Sequence, residues 1–156
     1  PATVVLTVAA ALGLAESYVV GFPGGTPPRE PIPAVYTRLA SLPAGPVLSL
    51  PTYRFAPDNF READYLLFST AHWFPIVNGF GRHEPPAHKE QMEVLSRFQA
   101  PDAIARLRQL GVRYVVLHPD RASELARAAD EAARMPGVHL VAHDGSDFLF
   151  EIAPAS

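Results

Sequence analysis

Residues 112–118, V-R-Y-V-V-L-H, are nearly continuous in apolar and β-branched side chains. A strand of that composition needs cover on both faces, so the run is expected at the centre of a sheet with helices above and below it. Its flanks agree. Ile104, Leu107 and Leu110 recur at helical spacing after Pro101 and stop at Gly111, a residue suited to a left-handed cap. Pro119 and Asp120 open an Ala- and Arg-rich helix that runs to about Met135 and ends at Pro136 and Gly137. Residues 138–142 and 147–152 then read as two strands around His143, Asp144, Gly145 and Ser146, a good hairpin turn.

Upstream, the elements are shorter and Pro and Gly mark their ends. Val35, Leu39 and Leu42 predict a helix over 34–42, and residues 47–50 a buried strand that Pro51 terminates. Tyr65, Leu66, Phe68, Ser69 and His72 predict a helix over 62–72, halted by Pro75. Ile76 and Val77 are long enough for a very short strand before Asn78 and Gly79, a pair suited to a tight turn with positive φ. Pro85 and Pro86 prepare a helix over 87–98 with Met92, Leu95 and Phe98 inward. The order of elements predicts an α/β fold, a mixed and mainly parallel sheet flanked by helices and finished by a C-terminal antiparallel hairpin.

With 156 residues the chain is long enough to bury roughly two thirds of its unfolded surface, so one domain over 34–153 is expected to hold a core without staples. Residues 21–33, G-F-P-G-G-T-P-P-R-E-P-I-P, form a Pro/Gly-rich loop, because neither residue type suits the interior of regular structure. Residues 1–20 carry no charge before Glu16 and read first as a buried first strand, with the end of a membrane helix or an amphipathic segment packed on the rest as alternatives. Their apolar run is shorter than the about 20 residues that a full span needs.

Chemistry concentrates in residues 65–86, Y-L-L-F-S-T-A-H-W-F-P-I-V-N-G-F-G-R-H-E-P-P, which hold the only tryptophan and two of the six histidines. Ligands of such sheets favour the crevice beyond the strands' carboxyl ends, which would gather Tyr53, Arg54, Asp58, Asn78, Arg82, His83, Glu84, Asp120 and Arg121. His83, Glu84 and His88 are close enough in sequence to share a metal, but Pro85 and Pro86 break the helical face that an H-E-x-x-H site uses, so solvated loop histidines are the expectation. An indole beside His72 stacks well on a sugar ring or a cation, yet a lone Trp73 next to Phe74 and Pro75 reads first as a core anchor. Asp58, Glu62 and Asp64 read as surface charge, and His118 as a structural residue at a strand end.

Other chemistries are disfavoured. There is no Walker loop, no dinucleotide fingerprint and no G-x-S-x-G elbow. A net charge of −3 with scattered acids and bases leaves no footprint for nucleic acid, and the absence of cysteine removes disulfides and thiolate metal sites. No cofactor is expected. From the residues alone, a small metal-assisted α/β hydrolase and a partner-binding module both stay open.

The stretch L-L-F-S-T-A-H-W-F-P-I-V-N-G-F, then E-P-P, then A-I-A-R-L-R-Q-L-G-V-R-Y-V-V-L-H-P, and finally D-G-S-D-F-L-F-E-I, resembles the soluble carboxyl-terminal region of bacterial polytopic membrane proteins similar to the GT-C superfamily of glycosyltransferases. With the upstream P-A-V-Y-T-R-L-A-S-L-P-A-G-P-V-L-S-L-P it covers about residues 33–152 in matching order. The resemblance implies transmembrane helices before Pro1, with the opening run the remnant or sequel of the last, and a soluble domain on the extracytoplasmic side of a bacterial membrane. Such enzymes take a sugar from a polyprenyl-phosphate donor, using acids in membrane loops that lie outside this chain. The chain is then an accessory domain, non-catalytic alone, whose partners are the transmembrane part of its own parent and a saccharide or lipid-linked sugar. The matching Ser69, His72, Trp73, Pro75, Asn78, Gly79, Pro85 and Pro86 are the implied functional face; with Ser69, His72, Trp73, Asn78 and Gly79, the neighbouring Arg82 and His83 complete the expected substrate-binding set. The run Phe80, Gly81, Arg82, His83 departs from the aromatic-Ser-Gly-aromatic pattern of the resembling proteins.

Overall fold

The computed structural model describes residues 7, 31–53, 61–79 and 85–154. The chain divides into two compact units, Pro1–Pro31 and Ile32–Ser156, and the second holds the sheet. The expected first strand or membrane-helix remnant within 1–20, and nearly all of the loop 21–33, lie outside the described residues. Among those described, no helix is long and apolar enough to cross a membrane.

Four strands form the sheet: β1 (Val47–Leu50), β2 (Tyr114–Leu117), β3 (Val138–Asp144) and β4 (Asp147–Ile152), in the spatial order β1-β2-β4-β3. The expected run 112–118 supplies β2, which is one of the two inner strands and is buried throughout. β1 and β2 pair parallel, whereas β4 pairs antiparallel with both β2 and β3. The α/β class with helices about a mixed sheet therefore holds, but "mainly parallel" does not.

The reason lies in the hairpin. β4, D-F-L-F-E-I, sends Phe150 and Ile152 into one core and Leu149 into the other and takes an inner position; β3, V-H-L-V-A-H-D, leaves His139, His143 and Asp144 in solvent and tolerates the edge. Insertion of β4 between β2 and β3 makes both of its pairings antiparallel. A bulge between Leu140 and Ala142 further disrupts the outer strand.

Alternation along the strands sends side chains to two cores. Leu48, Leu50, Val115, Leu117, Phe150 and Ile152 face helices α3 (Pro86–Leu95), α4 (Pro101–Gln109) and α5 (Glu124–Ala132) through Leu95, Leu107 and Ala129 among others. Val47, Tyr114, Val116 and Leu149 face α1 (Ala34–Leu39) and α2 (Glu62–Phe68) through Tyr36, Leu39, Tyr65 and Phe68. The helices begin and end close to the expected residues. The exception is α5, which starts at Glu124 because residues 119–122 are occupied by turns closed on His118 and Pro119.

At the end of α4, Gly111 takes φ +68, with the Val112 N–H bonded to the Leu107 carbonyl and the Gly111 N–H to that of Arg108. This double closure turns the chain sharply from helix into β2 and uses the left-handed region in which glycine is unstrained.

Candidate functional site

Helix α2 tightens into a 3₁₀ turn at Ser69–Ala71 and ends at His72. The next residue, Trp73, takes φ +59 and donates its N–H to the Ser69 carbonyl at 2.8 Å. This is a left-handed helix cap, the position where Gly or Asn is normally found. A bulky side chain there costs about 1–3 kcal/mol of backbone strain. The step sends three consecutive rings in opposite directions. His72 and Phe74 turn inward, and Trp73 is 81% exposed. The expectation of Trp73 as a core anchor is therefore reversed: the left-handed backbone points its indole into solvent.

The His72 ring is 6% exposed, stacks at 6.0 Å on Tyr36 and lies 5.1 Å from Phe74. Its Nδ1 accepts the Phe74 N–H at 2.9 Å, so the proton of the neutral ring sits on Nε2. That buried Nε2–H has no acceptor among the described residues. Burial also holds the imidazole below its ordinary value of 6.5. Ser69 and Thr70 return their hydroxyls to the Leu66 and Leu67 carbonyls, which leaves the oxygen lone pairs as acceptors.

Asn78 is placed differently from the expectation. Neither Asn78 nor Gly79 lies in a turn, and Gly79 does not take positive φ. Residues 75–77 run parallel to β1, with Val47 N–H bonded to the Pro75 carbonyl and Val77 N–H to the Val47 carbonyl. The Asn78 side chain continues that ladder. Its Oδ1 accepts the Ser49 N–H at 2.6 Å and its Nδ2 donates to the Ser49 carbonyl at 2.8 Å and to Glu62 at 3.1 Å. A carboxamide carries one donor and one acceptor side by side, as a peptide does, so it substitutes for a strand residue at the sheet's edge. Buried in this way, Asn78 is a structural clamp.

Glu62 is buried too, with Oε1 accepting the Tyr53 N–H at 2.6 Å, and Asp64 pairs with Arg121 at 3.1 Å. The reading of these two acids as plain surface charge is corrected accordingly. Loops after Leu50, Val77 and His118 do converge at the carboxyl ends of β1 and β2, joined also by Tyr65 Oη on the Pro51 carbonyl and Ser146 Oγ on Asp120. Arg54, Asp58, Arg82, His83 and Glu84 lie outside the described residues. Gly79 is exposed, and a β-carbon there would meet His88 Nε2 at 3.8 Å. Among the described residues no three His, Asp or Glu side chains are grouped to hold a metal, and His83 and Glu84, the partners proposed for His88, are not among them.

Sequence reasoning missed a buried polar chain. His118 Nδ1 lies 2.8 Å from Asp147, its Nε2 2.8 Å from the Tyr36 hydroxyl, and that hydroxyl 2.8 Å from Ser49 Oγ. A carboxylate only accepts, so Nδ1 carries a proton; in the neutral ring Nε2 accepts from Tyr36, which accepts from Ser49. Burial pushes the Tyr36 hydroxyl far above its ordinary range, while the Ser49 bond pulls it down.

The rings of His72, Tyr36, His118, Tyr65 and Tyr53 follow one another at interplanar angles of 10°, 14°, 15° and 29°, forming a column through the second core. The two buried side-chain atoms without a partner among the described residues, His72 Nε2 and Tyr53 Oη, belong to the rings at its two ends. The composition Ser, His and Asp invites comparison with a hydrolase triad, but Ser49, His118 and Tyr36 are closed to solvent and bonded to one another. Compared with protein-family models, with curated proteins and with solved structures, the chain has no match.

Proposed function

We propose that this chain is the accessory domain of a membrane-embedded, glycosyltransferase-like protein on the extracytoplasmic side of a bacterial membrane, non-catalytic by itself. In this reading the corner at Ser69, His72 and Trp73 contributes to recognition of the acceptor or of a lipid-linked sugar. The observation that carries it is Trp73, a fully presented indole held at φ +59. Strain of this kind is retained where the surrounding structure imposes it and concentrates at ligand sites. An indole face also matches the apolar face of a sugar ring. The burial of Ser49, Tyr36 and His118, bonded to one another and to the partly buried Asp147, supports a binding role over catalysis by those residues.

The test is a titration of the protein with oligosaccharide acceptors and with the headgroups of lipid-linked sugars, followed by amide NMR. Shifts clustered at Ser69, His72 and Trp73 are expected, and none at the Asn78 clamp. The variant Trp73→Gly relieves the left-handed strain and removes the indole, so it is expected to be more stable by about 1 kcal/mol and to lose the shifts. A wild-type protein that shows no shifts with millimolar ligand would sink the recognition role.

A further inference from the structure

The ladder between β2 and β4 stops at the Ile152 N–H, which donates to the Arg113 carbonyl. Alternation would next turn the amide of residue 154 towards β2, but Pro154 has no N–H, and on the other side the Val112 N–H is drawn away to the Leu107 carbonyl of α4. A cleft of about 360 Å³ lies where the two chains part, within the size range of small-molecule sites. Val112, Ile152, Ala153 and Pro154 supply its apolar lining, and Arg108, Arg113 and Glu151 its charge.

The two arginines are held differently. Arg113 is paired, with Nε and Nη2 each 2.9 Å from Glu151 Oε1. Arg108 donates from Nε to the Ala153 carbonyl at 3.1 Å and from Nη2 to the Pro136 carbonyl at 2.9 Å, and among the described residues no carboxylate pairs with it. The chain makes room for this guanidinium at Gly137, where a β-carbon would come within 2.5 Å of Nη2. Two carbonyl dipoles fix the cation in place without cancelling its charge, and Nη1 enters neither bond. Arg106 stands in the same last turn of α4, so the negative end of that helix does not rely on Arg108 alone.

We infer that this cleft binds a small monocarboxylate with an apolar body, the carboxylate against the Arg108 guanidinium and the hydrocarbon part against Val112, Ile152 and Ala153. A planar guanidinium presents its N–H groups in the geometry of a carboxylate. Two arginines and one glutamate leave a single positive charge, which matches a monoanion. A second negative charge on the ligand would face Glu151, so a dianion fits less well. The cleft shares no residue with the Trp73 corner, and the inference goes beyond the recognition reading.

The experiment titrates the whole chain with hexanoate, with 1-hexanol and, at pH 8, with inorganic phosphate, followed by amide NMR in wild type, Arg108→Gln and Glu151→Gln. Hexanoate is expected to give saturable shifts at Gly111, Val112 and Ile152 that weaken with added salt, whereas 1-hexanol and phosphate bind more weakly. Arg108→Gln should lose about tenfold in affinity for hexanoate. Because it also loosens the ties to Pro136 and Ala153, Glu151→Gln gives an independent reading: it keeps an acceptor for Arg113, removes the opposing charge and should tighten hexanoate by about threefold. Absence of shifts with millimolar hexanoate in wild type, equal binding of 1-hexanol, tighter binding of phosphate, full affinity in a folded Arg108→Gln, or affinity that Glu151→Gln fails to raise overturns the inference. The sugar titration of the Trp73 corner is read separately from all of these.

Discussion

A tryptophan and a glycine take the same left-handed step at the ends of two helices in this chain, Trp73 at φ +59 and Gly111 at φ +68. Gly111 makes the turn into β2 without strain, whereas Trp73 pays for it with a β-carbon clash and a solvent-exposed indole. The local hydrogen bond to Ser69 and the inward rings on either side hold Trp73 in place. Asn78 makes the opposite kind of contribution, because its carboxamide serves the sheet. Replacement by Ala strips partners from the Ser49 N–H, the Ser49 carbonyl and Glu62 together. Asn78→Ala is expected to lower unfolding free energy by about 2–4 kcal/mol in urea titrations. Asn78→Asp keeps the acceptor but sets a carboxylate against Glu62, so its deficit should shrink as pH falls and a proton restores a donor.

At the scale of elements, the Asp147, His118, Tyr36 and Ser49 chain ties the start of β4, the end of β2, helix α1 and β1 together. Tyr36 sits at its centre. Tyr36→Phe preserves the ring stack with His72 and His118 but leaves Ser49 Oγ and His118 Nε2 without their shared partner. The expected cost is about 1–3 kcal/mol, measured by denaturant unfolding, together with faster exchange of the backbone amides in β1. Arg121 closes the other side of the same core, with its guanidinium 5.6 Å from the Tyr65 and Phe68 ring centres and paired to Asp64. A stack of this kind depends on Arg as a planar cation, a role that Lys does not fill.

At the scale of the whole molecule, buried titratable rings bound the pH range of stability on both sides. His72 is held below 6.5, so the folded state binds fewer protons than the unfolded state as pH falls through that value, and the stability present above 6.5 is lost towards the folded value. Tyr36, Tyr65 and Tyr114 are displaced upward, chiefly by burial, from an ordinary value of 10.0. Their contribution is complete below pH 10 and is lost as pH rises beyond it, because only the unfolded chain ionises easily. Unfolding free energy measured against pH is therefore expected to be flat between these limits. Each proton imposes a slope of no more than about 1.4 kcal/mol per pH unit, one on the acid side from His72 and three on the alkaline side. His72→Asn should flatten the acid limb, and Tyr36→Phe should cut the alkaline slope by about a third.

The local pattern of residues was sufficient for the elements themselves. The apolar run before His118, the Pro and Gly punctuation around each helix, Gly111 as a cap and Gly145 in the hairpin all act within a few neighbours along the chain, so they are legible without the fold. Sheet order was only partly so. Phe148, Phe150 and Ile152 mark one apolar face of β4, but its inner position and the strand it joins depend on covering both cores at once. The candidate site depended almost wholly on tertiary structure. Tyr36 and His118 are 82 residues apart, and Asn78 finds Ser49 across 29, so no periodicity announces either pairing. Burial can be read from composition because it concerns one residue and solvent. Hydrogen-bond satisfaction concerns two groups and their geometry, and here packing alone decided that Asn78 completes the sheet, His72 keeps a free donor and Trp73 faces the solvent.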